Sequence, residues 1–245
     1  MSWRKILAAA LLAIPAQLAL MVSAVADTPK GPYLGLEGGM AWTSNITYYT
    51  TYTGCVPPYY CYPSYNYYNA ATFNLGYSAG LQLGYAFGGP RLEFEYNYRN
   101  NGASTIATTA GTQSASGTLT SNNFMVNALY DFDTGSKWIP YIGLGLGAAD
   151  VRANSIKPSS PGPGVSGYID GSSTKFAAQF IFGVEFQASD NLGVILDWRG
   201  LWANNTNYNY GLGCPTGTTS GCLQNGTTSW TYWNGAFNVG LHVHF

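Results

Sequence analysis

The stretch Arg91–Arg99, RLEFEYNYR, decides the fold. Its odd positions are Arg91, Glu93, Glu95, Asn97 and Arg99; its even positions are Leu92, Phe94, Tyr96 and Tyr98. Polar and apolar residues alternate without a break, the period of a β-strand with two unlike faces. A strand half-buried in a soluble sheet carries the same pattern. The neighbouring sequence must therefore decide what each face meets.

Outward from Arg91–Arg99 the pattern recurs. Eight segments alternate, at about 33–42, 74–87, 91–100, 120–131, 138–149, 174–187, 192–202 and 230–245, each near or above the ~9–11 residues of a tilted membrane strand. Leu75, Tyr77, Leu81, Leu83, Tyr85 and Phe87 share one face of the second; Gly76, Ser78, Gly80, Gln82 and Gly84 share the other. In the fifth, Ile142, Leu144 and Leu146 alternate with Gly143, Gly145 and Gly147. Small residues on the inward face suit a narrow barrel with little internal room. Gly88-Gly89-Pro90, DFDTGSK (Asp131–Lys137) and ASDN (Ala188–Asn191) have tight-turn chemistry. The other connectors, about 43–73, 101–119, 150–173 and 203–229, are expected to be four long loops, the layout of a membrane barrel.

Composition separates the lipid-facing reading from the soluble one. Charged residues are only 9 % of the chain, aromatics are 16 %, and there are 31 glycines. Soluble domains carry about 25 % charge. The expected fold is all-β: a closed eight-stranded antiparallel up-and-down transmembrane β-barrel, one domain over residues 27–245. A soluble secreted β-sandwich or ligand-binding barrel is the alternative, distinguished by detergent dependence.

Arg4 and Lys5 precede an apolar run from Ile6 to Ala26, with small residues at Ala24 and Ala26. Residues 1–26 therefore read as a cleaved secretory signal peptide. Four cysteines form two close pairs, Cys55/Cys61 and Cys214/Cys222. In an oxidising compartment they are expected to be disulfides. Three connectivities are open, and local pairs need the least rearrangement.

The first long connector contains ITYYTTYTGCVPPYYCYPSYNYYN, uncharged and with nine tyrosines. Its centre, CVPPYYCYP, reads as a stiff knuckle that holds Tyr59, Tyr60 and Tyr62 outward as contact candidates. The prolines oppose a flat aggregating strand. Trp42, Trp202, Trp230 and Trp233 lie beside long connectors; Trp138, Phe87, Phe132, Phe186 and Phe245 lie beside short turns or the terminus. They are expected to form two interfacial girdles.

The final strand, NVGLHVHF, has Asn238, Gly240, Val243 and Phe245 at the spacing with which outer-membrane barrels commonly close. WIPYIGLGLGAA and GPYLGLEGGMAWT also resemble strands of the OmpA-like and opacity-protein barrel superfamily. The resemblance spans the mature chain. It implies residence in the outer membrane of a Gram-negative bacterium, contact with its lipid, and recognition of the last strand by the barrel-assembly machinery. It also implies that inward charge pairs close the lumen. The family often adds a periplasmic wall-binding domain; this chain stops at the last strand, so no wall anchoring is expected.

Inward positions include Glu37, Arg91, Glu93, Glu95, Arg99, Asp131, Lys175, Glu185, Asp197 and Arg199. In so narrow a bore they must pair or meet trapped water, with Arg199 as the main cation against the mid-lumen carboxylates. The network either fills the barrel or gates small solutes. His242 and His244 form an H-x-H pair, which can share a metal; interior packing is the expected role, and neither a metal nor a cofactor is expected. No catalytic residues are assigned: there is no G-x-S-x-G, and the histidines sit at the wrong end for outer-leaflet substrates. No basic patch supports nucleic-acid binding. The expected protein is a monomeric surface protein that contributes to envelope structure and, through its loops, to contacts with an unidentified surface or host ligand. A narrow porin is the alternative.

Overall fold

The structure, a computed structural model, describes residues 28–245 except 53–54, 57–59, 62–64, 109–110, 160–165 and 214–223. Over 48–52, 55–56, 60–61, 65–69, 108, 166–167, 205–213 and 224–229 it describes backbone alone. Twelve strands are present among these residues: β1 Lys30–Thr43, β2 Ile46–Tyr52, β3 Cys55–Val56, β4 Tyr60–Cys61, β5 Tyr65–Phe73, β6 Gly76–Phe87, β7 Pro90–Thr108, β8 Gly111–Asp131, β9 Trp138–Pro158, β10 Ser166–Ser189, β11 Leu192–Gly213 and β12 Gln224–His244.

Eight of them close a ring, each hydrogen-bonded to its sequence neighbour. The order is β1-β6-β7-β8-β9-β10-β11-β12, and β12 returns to β1 through an antiparallel ladder from Tyr33–His244 to Thr43–Asn234. Closure leaves no free edge in the membrane section, where an unpaired backbone group is costly. Outward residues form an apolar belt: Leu36, Leu81, Leu83, Leu92, Phe94, Leu144, Leu146, Leu196 and Val239 are each at least half exposed. No described helix is long and apolar enough to cross a membrane; this barrel crosses with strands.

The long connectors depart from expectation. Residues 101–119, 150–173 and 203–229 are mostly strand, because β7–β12 run on as ladders well beyond the belt. Above the belt the outward face meets water, so the apolar outward series stops and the sequence resembles loop. The inward series continues through Asn101, Ala103, Ile106, Val151, Ala153 and Ile156, all buried. Bulges at Gly102/Thr105 and beside Ser155, whose φ is +45°, shift the count by one and keep Ile106 and Ile156 inward.

Connector 43–73 is a second hairpin. β1 yields to β2 at residues 44–45 and β5 yields to β6 at 74–75, so the upper part of β7 pairs with β5 and its lower part with β6. Asn74 N–H donates to Gly102 O (2.8 Å), and Ser44 N–H donates to Trp233 O (3.0 Å), which fix the two changeovers.

Candidate functional site

The bore of the ring is filled with side chains in layers, from the short-turn end to the hairpin end. Strand β7 gives the order by itself: Arg91, Glu93, Glu95, Asn97, Arg99 and Asn101 point inward, then Ala103 and Ile106.

The lowest layer centres on Arg91. Its Nε is 3.0 Å from Asp131 Oδ1 and its Nη1 is 3.1 Å from Glu185 Oε2. The guanidinium lies over the Tyr141 ring at 4.6 Å and the Tyr33 ring at 5.5 Å. Glu185 also meets both histidines: Oε2 is 2.9 Å from His242 Nδ1, and Oε1 is 2.9 Å from His244 Nε2. Gly193 makes room here, since a Cβ on it would lie 2.1 Å from Glu185 Oε1.

The middle layer centres on Arg199. Its guanidinium reaches four carboxylates: Glu95 (2.6 Å), Asp197 (2.9 Å), Glu37 (3.2 Å) and Glu93 (3.3 Å). Amides and phenols complete the set. Asn127 Nδ2 donates to Glu93 (2.8 Å) and Glu95 (2.7 Å), and Gln82 Nε2 donates to Glu37 (2.7 Å). Tyr33 OH donates to Glu93 (2.9 Å), and Tyr141 OH donates to Asp197 (3.1 Å). A charge buried this deeply holds only when paired and hydrogen-bonded, which this arrangement supplies. Gly80 and Gly145 leave space for Glu37 and Asn127.

Arg99 stands apart. Amide oxygens hold it rather than carboxylates: its Nε donates to Asn97 Oδ1 (2.8 Å), and its Nη1 donates to Asn234 O (2.9 Å) and Oδ1 (3.0 Å). Among the described residues its hydrogen bonds run to neutral oxygens alone. Lys175 lies on the inward face of β10, half-buried and aligned with Ala149.

Above Arg99 the interior turns apolar. Ile46, Ala71, Ala103, Ile106, Leu119, Val151, Ala153, Ile156, Ile169, Leu201, Ala203, Trp230 and Tyr232 pack as one buried cluster. Trp230 is only 8 % exposed, so it belongs to this interior and not to a girdle. It shares the even-numbered inward face of β12 with His242, whereas Trp233, on the odd face, is 37 % exposed and adjoins Trp42 at 6.4 Å between ring centroids. Trp202 and Trp138 are also outward, and Trp138 packs on Phe186 at 4.7 Å.

Among the closing-strand residues, Asn238 is buried and its Nδ2 donates to Asp197 Oδ1 (3.1 Å). Gly240 lies against the β1 backbone, while Val243 (40 %) and Phe245 (68 %) face outward. In the knuckle, the β3–β4 backbone places Cys55 directly across from Cys61. The side chains of Cys55, Cys61 and Tyr60, and all of Tyr59, Tyr62, Cys214, Cys222 and residues 1–27, lie outside what the structure describes. Sequence alone places Gln82 and Asn97 on polar inward faces; the partners it misses are Asn127, Gln179, Asn234, Tyr33 and Tyr141. Each sits on an inward position of a strand, and strand parity alone finds them.

Comparison with known proteins agrees with this geometry. The model of the outer membrane protein beta-barrel domain matches residues 6–245. No curated protein matches. Among solved structures, the OprG outer membrane protein of Pseudomonas aeruginosa shares 13 % identity, with a TM-score of 0.54 over 89 % of this chain and 99 % of that one. Neisserial surface protein A shares 19 % identity, with a TM-score of 0.49 over 88 % and 97 %. The outer membrane protease OmpT of Escherichia coli shares 9 %, with a TM-score of 0.49 over 93 % and 100 %. The chain belongs to the outer membrane protein beta-barrel domain family, and its place is the outer membrane of a Gram-negative bacterium.

Proposed function

We propose that this is a closed surface barrel, whose lumen serves as a stabilising stopper and whose extracellular hairpins make the contacts. The observation that carries this reading is the continuous filling of the bore. Arg91 and Arg199 tie the lower and middle lumen to six buried carboxylates, and the apolar cluster continues to the hairpin end. Short turns and both strand termini belong on the periplasmic side, so the hairpins face out. Lipid meets the apolar belt. The exposed Val243 and Phe245 at the end of β12 supply the surface that the assembly machinery reads. We take the protein as a monomer with a binding or structural role rather than a catalytic one. The hairpin 43–73, with Cys55 opposite Cys61 at its tip, is the contact element, presenting its tyrosines to a surface ligand. A local Cys55–Cys61 bond and a Cys214–Cys222 bond stiffen the first and last hairpins.

Planar-bilayer recording tests the closed lumen: the protein gives no stable conductance steps. Reproducible steps would instead support the second reading, a narrow solute channel, which the polar lower lumen favours. Deleting residues 53–64 tests the contact surface. Heat-modifiable gel migration stays intact while adhesion of the bacteria to host cells falls. Adhesion unchanged by the deletion would remove the knuckle from the proposal.

A further inference from the structure

Glu185, His242 and His244 are buried at the periplasmic end of the lumen, and one ligand atom from each lies within 4.8 Å of the others. We propose that these three side chains bind a divalent transition-metal cation of the Zn2+ class, reached from the periplasm. The donor set is two imidazoles and one carboxylate, which leaves a fourth tetrahedral position for solvent.

Three features support this beyond the cluster itself. First, the distances are close to those required. Metal–ligand bonds of about 2.0–2.1 Å place tetrahedral ligands about 3.3 Å apart; Glu185 Oε2 is 2.9 Å from His242 Nδ1, Oε1 is 2.9 Å from His244 Nε2, and one donor from each of the three residues lies within 4.8 Å of the others. Side-chain rotation brings one donor from each onto the ion. Second, both ring nitrogens of His242 face oxygen: Nδ1 faces Glu185 Oε2 and Nε2 faces Gln82 Oε1 at 3.1 Å. Gln82 Nε2 already donates to Glu37, which fixes its Oε1 as the acceptor for His242. A neutral imidazole has one N–H and cannot donate to both. With a metal on Nδ1, Nε2–H donates to Gln82, the outer-shell hydrogen bond that orients a ligating histidine. On the other histidine, buried Nδ1 of His244 has no hydrogen-bond partner among the described residues, so nothing competes for the tautomer that leaves Nε2 free to bind.

The third feature is charge. The lumen buries six carboxylates, Glu37, Glu93, Glu95, Asp131, Glu185 and Asp197, against three guanidiniums, Arg91, Arg99 and Arg199. An unbalanced buried charge is costly, and a dication lowers the excess where β10 and β12 meet. Arg91 is the competitor, with Nη1 3.1 Å from Glu185 Oε2 and 3.4 Å from His242 Nδ1. It keeps Asp131 when the ion enters. The ion would clip β10 to β12 across β11, at the end where the barrel closes.

The test uses the full-length barrel refolded in detergent and stripped with chelator. Folding is verified by heat-modifiable migration, and Co2+ is titrated by visible absorption with Zn2+ as competitor. The expected result is one saturable equivalent with a nitrogen–oxygen spectrum lacking a thiolate charge-transfer band. Affinity falls at least tenfold in His244→Gln and in Glu185→Gln, each checked for folding. No saturable binding to the folded barrel overturns the site. Binding that persists unchanged in both variants, or that carries a thiolate band, assigns the ion to the cysteines and also overturns it.

Discussion

The barrel below Arg99 and the barrel above it are built from the same eight-stranded ring with opposite chemistry. Below, the outward face is apolar and the inward face polar: Leu144 is 65 % exposed, while Glu95 and Arg199 are fully buried. Above, the inward face holds Ile106, Val151 and Ile156, and the outward face carries Arg152, Asn154 and Thr174. The solvent outside inverts at the membrane boundary, and the strands invert with it. A membrane barrel continues into what is, in cross-section, a soluble barrel. The backbone needs no change, because period two serves either arrangement.

The largest expected effect breaks the lower half. Arg199→Ala removes the one cation shared by Glu37, Glu93, Glu95 and Asp197. Removing one partner of a buried ion pair costs about 3–5 kcal/mol. The variant is expected to unfold at markedly lower urea, followed by gel migration and tryptophan fluorescence. An unchanged midpoint would mean the carboxylates do not depend on Arg199.

Next comes a direct reading of the inversion. Leu144→Arg puts a charge into the lipid belt, at a cost of about 2–4 kcal/mol near the bilayer midplane. Ser114→Arg puts the same side chain on the exposed outward face of the β8 hairpin, where surface changes stay within about 0.5 kcal/mol. Unfolding in lipid vesicles should separate the two sharply. Equal costs would erase the boundary between the halves.

Gly193→Ala is a smaller perturbation of the lower layer. The added methyl would meet Glu185 Oε1 at 2.1 Å, and overpacking costs about 1–3 kcal/mol. The expected outcome is a modest drop in unfolding midpoint with native migration kept. A stability equal to that of the parent would show that Glu185 moves freely.

The inversion also explains what could be read from the chain. Arg91–Arg99 has strong contrast on both faces, so its strand and its lumen residues were legible, as were the turns at Gly88-Gly89 and Asp131–Lys137. In Thr105–Ser121 the contrast is gone: Ser, Thr and Gly face water, and inward Ile106 and Leu119 are too sparse to announce a strand. Bulges then shift the parity, which hides the pattern further. The pairing of His242 with Glu185 was illegible for another reason. Their strands are separated by β11, and the side chains meet only because Gly193, between them, has none.

The finest test concerns the upper half alone. Ile156 is fully buried in the apolar cluster, on a strand whose bulge beside Ser155 turns it inward. Ile156→Val removes one methylene at a cost of about 0.5–1.5 kcal/mol. If the two halves open as separate units, amide exchange should quicken in the hairpin ladders of β8, β9 and β10 above Asn122–Asp150. The ladders below, from Asn123–Ala149 to Asp131–Tyr141, should keep their protection. Faster exchange throughout the ring would instead make the barrel one cooperative body, with the chemical boundary at Arg99 carrying no mechanical meaning.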